Sequence, residues 1–135
     1  MADRVAFDIE KMYESWRDHL LENSLAKYFG MVYDPTKVAK FPYANFMVIG
    51  FPSNGGDLEG DEATVNLTIE TEAYINTNKY MTLYNIDGAS TDFFIDLGFR
   101  KIGNSTPLKV SDTVTKIQSR FILMNFDGNF LKELE

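Results

Sequence analysis

Residues 64–76, TVNLTIETEAYIN, alternate between apolar and polar side chains and decide the fold class. Positions 65, 67, 69, 73 and 75 are apolar and position 71 is threonine, whereas polar side chains and one tyrosine occupy the even positions from 66 to 74. A period of two is typical of a β-strand with one face in the core. We therefore predict a strand here, with Glu70, Glu72 and Tyr74 on its polar face.

The segment that follows this strand changes to a helical period. Within residues 79–98 the apolar side chains recur three or four positions apart, as in an amphipathic helix. Gly88 inside this helix costs about 1 kcal/mol relative to alanine and allows a kink, and Gly98 is a typical C-terminal residue. Residues 114–126 alternate again, so this half of the chain predicts strand, helix, strand.

The N-terminal part of the chain contains a second amphipathic pattern. An apolar stripe predicts a helix over residues 3–29, with Asp3 as its N-cap. Asn23 and Ser24 compete for backbone hydrogen bonds and predict a break or bend within it. Trp16, Phe46, Phe93 and Phe121 are at core spacing, whereas Tyr43, Tyr74 and Tyr84 are less easily assigned to a core.

The remaining segments predict short strands and loops. Strands are predicted over residues 31–33, 44–51 and 99–102, and turn-rich loops over residues 52–62 and 103–112. The first of these loops joins two strands as a long-looped antiparallel hairpin. The whole pattern predicts a single α+β domain over residues 1–135, with a mainly antiparallel sheet of about four or five strands, a long N-terminal helix and a second helix packed on one face.

Composition excludes several classes of function. The chain has 20 acidic and 13 basic residues, a net charge of −7, which is the opposite of the basic footprint of proteins that grip nucleic acid. It has no cysteine, so disulfides and thiolate chemistry are excluded. The N-terminus lacks the apolar run of a signal peptide and no segment has the roughly 20 apolar residues of a membrane span, so we expect a soluble, cytoplasmic protein without a membrane partner.

Residues suited to catalysis or metal binding are few. His19 is the one histidine, and no nucleophile or carboxylate is placed to form a triad with it. The loop 52–62 carries oxygen ligands at Asp57, Glu59, Asp61 and Glu62, but it lacks the glycine and the final glutamate of a calcium loop. We therefore expect no catalytic residue, no metal and no cofactor.

The polar row of the strand at 64–76 leaves two interpretations. Glu70 and Glu72 beside Tyr74 favour a solvated or subunit-facing row. The alternative is a small ligand-binding domain or enzyme that uses Glu70, Glu72, Tyr74 and His19 around a pocket.

The order of elements resembles one family as a whole. A long N-terminal helix precedes a strand that is entered through Phe41-Pro42-Tyr43, and an acidic Gly-rich loop then leads to a strand that ends in Ile75-Asn76. The helix that follows ends in Leu97-Gly98-Phe99, and the last strand contains Ser119-Arg120-Phe121. This pattern, over nearly the whole chain, resembles the tail terminator (tail-to-head joining) proteins of long-tailed bacteriophages and prophages.

The resemblance implies a non-enzymatic virion assembly protein. In that family a hexameric ring of α/β subunits caps the tail tube, docks onto the head connector or head completion protein, and lets DNA pass through its lumen without specific binding. The implied location is the tail-head junction of the virion, with assembly in the host cytoplasm. Candidate contacts are the acidic loop (Asp57, Glu59, Asp61 and Glu62), the row Glu70, Glu72 and Tyr74, and Lys109 in the loop 103–112.

Overall fold

The computed structural model describes residues 9–31, 40–50, 67–103 and 105–123, which form two α-helices and six β-strands. In chain order these are α1 (Ile9–Asn23), β1 (Tyr28–Gly30), β2 (Tyr43–Gly50), β3 (Leu67–Ile75), α2 (Tyr80–Asp96), β4 (Arg100–Ile102), β5 (Leu108–Lys109) and β6 (Thr115–Leu123). The α+β class is therefore confirmed.

The strands form one mixed sheet in the order β1-β2-β3-β6-β4, and β5 also pairs with β6. Strand β1 runs parallel to β2, whereas the pairings β2–β3, β3–β6, β4–β6 and β5–β6 are antiparallel. The predicted hairpin of β2 and β3 is confirmed. The sheet is mainly antiparallel, as predicted, with one parallel pair at its edge, but the predicted four or five strands are corrected to six within the described residues.

The core lies between the two helices and one face of the sheet. Trp16, Phe46 and Phe121 are fully enclosed and Phe93 is 9% exposed, which confirms their predicted core positions. Phe94 of α2 stacks on Phe121 of β6 with ring centroids 4.8 Å apart. Aromatic pairs at this spacing add to the burial of apolar area, so this contact anchors α2 to the middle of the sheet.

The first helix ends at Asn23, which confirms the break predicted at Asn23 and Ser24, whereas its predicted continuation to residue 29 is wrong. The Ser24 hydroxyl donates to the carbonyl of Leu20 and accepts the amide of Ala26, so a side chain satisfies the Ala26 amide, which a continuing helix would have paired with a carbonyl. Of the strand predicted at 31–33, residues 32 and 33 lie outside the described residues. Tyr28–Gly30, most of which was predicted to end the first helix, forms strand β1 instead. Parallel pairing with β2 over three residues holds it there. The N-cap predicted at Asp3 lies outside the described residues.

The second helix begins at Tyr80 and is continuous through Gly88 to Asp96. Its C-terminus has the hydrogen bonds of a Schellman motif, from the amide of Gly98 to Ile95 and from the amide of Phe99 to Phe94. Gly98 has a φ of 97°, the left-handed conformation that glycine adopts without a steric penalty. The predicted helix stop is therefore confirmed, and it turns the chain directly into β4.

Candidate functional site: the polar face of the sheet

The row that the sequence places on the polar side of β3 meets basic residues of β6. In the antiparallel register Glu70 lies opposite Arg120, and Tyr74 lies opposite Lys116. On the other neighbour, Asn45 of β2 lies opposite Glu72. Because side chains alternate along a strand, these residues lie on the side of the sheet away from α1 and α2. We call the set the polar face: Tyr43, Asn45, Glu70, Glu72, Tyr74, Lys116, Gln118 and Arg120.

Both carboxylates of the polar face are held in ion pairs. Arg120 Nε donates to Glu70 Oε1 and Lys116 Nζ donates to Glu72 Oε2, each at 2.9 Å. The second pair is the more enclosed, since the side chains of Lys116 and Glu72 are 16% and 7% exposed, whereas that of Arg120 is 54% exposed. Removing one partner of an enclosed pair leaves an uncompensated charge, so the loss of Lys116 alone should cost more stability than the loss of Arg120 alone.

Glu72 is the centre of this network. Its Oε1 accepts hydrogen bonds from the Tyr74 hydroxyl at 2.8 Å and from Asn45 Nδ2 at 3.2 Å, in addition to the Lys116 contact on Oε2. The Tyr43 hydroxyl in turn donates to Asn45 Oδ1 at 3.3 Å. Within the described residues no buried side-chain nitrogen or oxygen lacks a hydrogen-bond partner. The carboxylate of Glu72 is thus occupied by protein donors on both oxygens.

The pKa values of the two tyrosines of the polar face are raised, which favours the neutral form of each phenol. Burial is the largest cause that raises the pKa of Tyr43 to about 12, with further contributions from Tyr13 and from the charge of Glu72. Burial, followed by its hydrogen bond to Glu72, raises the pKa of Tyr74 well above its ordinary value. Both phenols therefore remain neutral hydrogen-bond donors at physiological pH.

The sequence favoured a row at Glu70, Glu72 and Tyr74 that faces either solvent or a neighbouring subunit. The prediction that this row faces solvent is wrong. These residues are 8%, 7% and 1% exposed. The alternation on β3 is real, but polar side chains on its second face can be buried because β2 and β6 supply their hydrogen-bond partners. The alternation along β3 alone does not identify those partners.

His19 does not join this cluster. It lies in α1, on the opposite side of the sheet, with its ring 5.6 Å from that of Phe93 in α2. It lines an open depression between the helices, together with Asn23, Tyr84, Gly88 and Asp92. The four residues of the alternative interpretation are therefore divided between two sides of the sheet.

A second polar cluster, which sequence reasoning missed, ties α2 to the β4–β6 edge. Asp87 of α2 is 7% exposed and binds Lys101 Nζ at 2.9 Å through one oxygen and the Ser119 hydroxyl through the other. The Ser119 hydroxyl also contacts that of Ser105, and Lys101 donates to Thr91. Each polar side chain of this cluster has a hydrogen-bond or ion-pair partner inside the cluster. Its arrangement explains how a carboxylate is accommodated on the inner side of a helix.

The outward side of the helices carries large apolar side chains. Leu25, Tyr80, Met81 and Tyr84 line an open depression at the start of α2, and Met81 is 75% exposed. Tyr84 is 43% exposed, so of the three tyrosines not assigned to the core it alone is at the surface. Exposed apolar side chains that lie together are typical of surfaces that bind other proteins.

The predicted loop contacts are in part outside the described residues. Asp57, Glu59, Asp61 and Glu62 all lie there. Lys109 is exposed in β5, within the segment predicted as a loop, and its Nζ donates to the carbonyl of Asp112 at 3.2 Å.

Two kinds of feature are absent from the described ranges. No helix in them is long and apolar enough to cross a membrane. They also contain no group of three or more histidine, cysteine, aspartate and glutamate residues that could hold a metal ion.

One signal in the sequence could have identified the basic half of the polar face. Lys116, Gln118 and Arg120 alternate on the last strand at the same spacing as the acidic row of β3. Opposite charges on adjacent antiparallel strands favour pairing. The signal becomes specific only when the two strands are known to be neighbours, and a helix and two strands separate them in the chain.

Comparison with known proteins returned neither a matching family model nor a matching curated protein.

Proposed function

We propose that this chain is a non-enzymatic assembly protein of the tail-terminator type, which forms a hexameric ring, caps a phage tail tube and joins it to the head connector. DNA would pass through the lumen of the ring without specific binding. The completed ring would lie at the tail-head junction of the virion, after assembly in the host cytoplasm. The family resemblance of the element order is the origin of this proposal.

The observation that carries the proposal is that many large apolar side chains of the described residues are exposed. Large apolar side chains more than a third exposed lie in or near the end of α1, along α2, and in or next to strands β1, β2, β4 and β5: Leu21, Leu25, Tyr28, Met31, Ile49, Tyr80, Met81, Tyr84, Ile95, Ile102 and Leu108. A subunit that works by contact with copies of itself and with other proteins needs such surfaces. A small enzyme needs instead a concave site with free polar groups.

The alternative function has less support from the same residues. The carboxylates of Glu70 and Glu72 are neutralised by Arg120 and Lys116, and Tyr74 is held as a donor to Glu72. A general base must be within reach of a substrate, whereas the side chain of Glu72 is 7% exposed and has protein donors on both of its oxygens. The polar face therefore fits a structural role better than a catalytic one.

The direct test is removal of the gene from the phage or prophage that encodes it. We expect tails whose tubes exceed the normal length and heads that remain unjoined, with both defects repaired by the wild-type gene supplied in trans. Normal tail lengths on joined particles in the deletion strain would overturn the proposal. Light scattering and negative-stain images of the purified protein complement the gene deletion. We expect rings whose mass is six times that of the 15.4 kDa chain.

A further inference from the structure

The open depression at the start of α2 has the properties of a peptide-binding groove. Its volume is about 850 Å³, and each apolar side chain that lines it is at least 40% exposed: Leu25, Tyr80, Met81 and Tyr84. Grooves that bind peptides offer apolar pockets together with a few polar groups. Methionine is common on such surfaces because its unbranched side chain adapts to a partner. This depression, which we call the α2 groove, therefore offers a site for the apolar side chains of a partner.

The charge at the α2 groove favours an acidic partner. Lys79 is the one charged residue among the described residues that line it. No ion pair between described residues uses the Lys79 ammonium, and the first turn of α2 has no acidic side chain. A carboxylate of a partner therefore meets a cation and no like charge in the lining. Such complementarity contributes more to specificity than to affinity, so we expect the apolar contacts to supply most of the binding.

The chain itself contains a segment of this composition. Residues 124–135, MNFDGNFLKELE, follow β6 and lie outside the described residues. Phe130, Leu131 and Leu134 recur there at helical spacing, and two of the remaining positions in this stretch are glutamates. Peptides that bind as a helix in an apolar groove use anchors at this spacing. We call residues 124–135 the terminal segment.

The position of β6 directs the terminal segment away from the α2 groove of its own subunit. Strand β6 runs toward the C-terminal end of α2, since its first residue pairs with Ile75, shortly before α2 begins, and a Cβ built on Gly98 would be 3.7 Å from Leu123 Cδ1. Met81 is about 26 Å from Gly98 along the helix. The seven residues from Leu123 to Phe130 span at most about 25 Å, before any reversal of direction. Phe130 therefore does not reach the groove of its own subunit.

From these positions we infer that the terminal segment of one copy binds the α2 groove of a second copy, with its apolar side chains in the groove and a glutamate toward Lys79. The groove and the start of the terminal segment lie at opposite ends of the sheet. The contact thus joins two different surfaces, and repetition of it closes a ring instead of a two-fold dimer. The inference rests on the proposed ring and names the contact that joins its subunits.

Cysteine cross-linking tests this contact, because the chain has no cysteine of its own. We expect Met81→Cys and Leu134→Cys, co-expressed and then oxidised, to give a covalent dimer, while neither variant alone does so. The double variant should give a ladder of bands that ends at the closed ring. An internal cross-link in a monomeric double variant, or no cross-link between the two single variants, would overturn the inference.

A matched pair of substitutions separates this inference from the proposed function. Leu134→Ser should dissociate the oligomer, whereas Lys132→Ser, outside the apolar spacing, is the control and should not. Sedimentation velocity gives the mass, and circular dichroism verifies the fold of each variant. An oligomer that persists in Leu134→Ser would overturn the contact and leave the ring intact, whereas a gene deletion without a tail phenotype would overturn the function.

A synthetic peptide measures the same contact without ring formation. A fluorescein-labelled peptide of residues 124–135 should bind the Leu134→Ser variant, whose own terminal segment no longer competes. Met81→Asp added to that variant should weaken the binding at least about tenfold. A peptide of the same composition in scrambled order is the control, and fluorescence anisotropy is the readout. Equal binding of the two peptides, or no binding of either, would overturn the inference.

Discussion

The phenolic hydroxyl of Tyr74 donates a hydrogen bond of 2.8 Å to Oε1 of Glu72, two residues earlier on the same face of β3. This contact is enclosed, since Tyr74 is 1% and Glu72 is 7% exposed. It places a neutral donor beside a charged acceptor that Lys116 also binds. The polar face thereby behaves as a second, hydrogen-bonded core on the far side of the sheet.

The tyrosines of the polar face predict loss of stability in alkali. Burial raises the pKa of Tyr43 to about 12 and raises that of Tyr74 further, against about 10 in the unfolded chain. Their contribution is fully present below the unfolded pKa and is lost as the pH rises through the folded values. We expect the free energy of unfolding, measured with urea, to fall steadily above about pH 10.

Substitution of Tyr74 tests which group causes this fall. Tyr74→Phe should flatten the alkaline decline and lower stability at neutral pH by about 1–3 kcal/mol, because Glu72 loses an enclosed donor. The exposed Tyr84, changed to Phe, is the matched control and should leave both quantities unchanged. Tyrosinate absorbance would report the ionisation directly, and ionisation of every tyrosine near its ordinary pKa without unfolding would contradict the prediction.

The Lys116–Glu72 ion pair predicts an asymmetry between single and double variants. Lys116→Met should destabilise the fold by about 3–5 kcal/mol, because it leaves Glu72 charged and enclosed without its counter-ion. Glu72→Gln added to Lys116→Met should recover a large part of that loss. Chemical denaturation measures both, with Lys109→Met as the exposed control that should change little. Equal loss in the single and double variants would show that the pair is not coupled.

Two glycines near each other in the chain predict opposite effects of the same substitution. Gly88→Ala should stabilise the subunit by about 1 kcal/mol, because the added methyl group meets no atom and alanine favours the helix. Gly98→Ala should destabilise it by about 1–2 kcal/mol, because its φ of 97° is unfavourable for a residue with a Cβ. Thermal unfolding of the two variants side by side gives the sign of each effect. Gly98→Ala as stable as the wild type would contradict the assigned helix end.

The acidic loop predicts a defect in joining without a defect in folding. Residues 51–66 contain Asp57, Glu59, Asp61 and Glu62 and no basic residue. Replacement of these four acids by lysine should prevent the gene from restoring joined particles in the deletion strain. Circular dichroism of the purified variant should match that of the wild type. Full restoration by this variant would remove the loop from the contacts with tube and connector.

Local periodicity was sufficient for the elements that carry the core. The alternation around Ile69 predicted β3, and the helical spacing around Leu83 predicted α2 together with its end at Gly98. Trp16, Phe46 and Phe121 were predicted as core from the same patterns and are fully enclosed. These properties depend on side chains a few positions apart, and the chain carries that information at every position.

The candidate site could not be predicted in the same way. The sequence predicts Glu72 at the surface because every second position of its strand is polar. Its burial depends instead on Asn45 and Lys116, which are 27 and 44 residues away in the chain. The parallel strand β1 likewise depends on contacts outside the local pattern, as the pairing of Tyr28 with Tyr43 shows.

The sequence by itself determined the α+β class, the amphipathic faces, the excess of acidic charge and the absence of cysteine chemistry. Only the tertiary structure decided that β3 lies between β2 and β6, that its acids meet Lys116 and Arg120, and that His19 lies across the sheet from them. The physical reason is that periodicity is a short-range property of the chain. Strand order and register come from the combined free energy of contacts between distant segments.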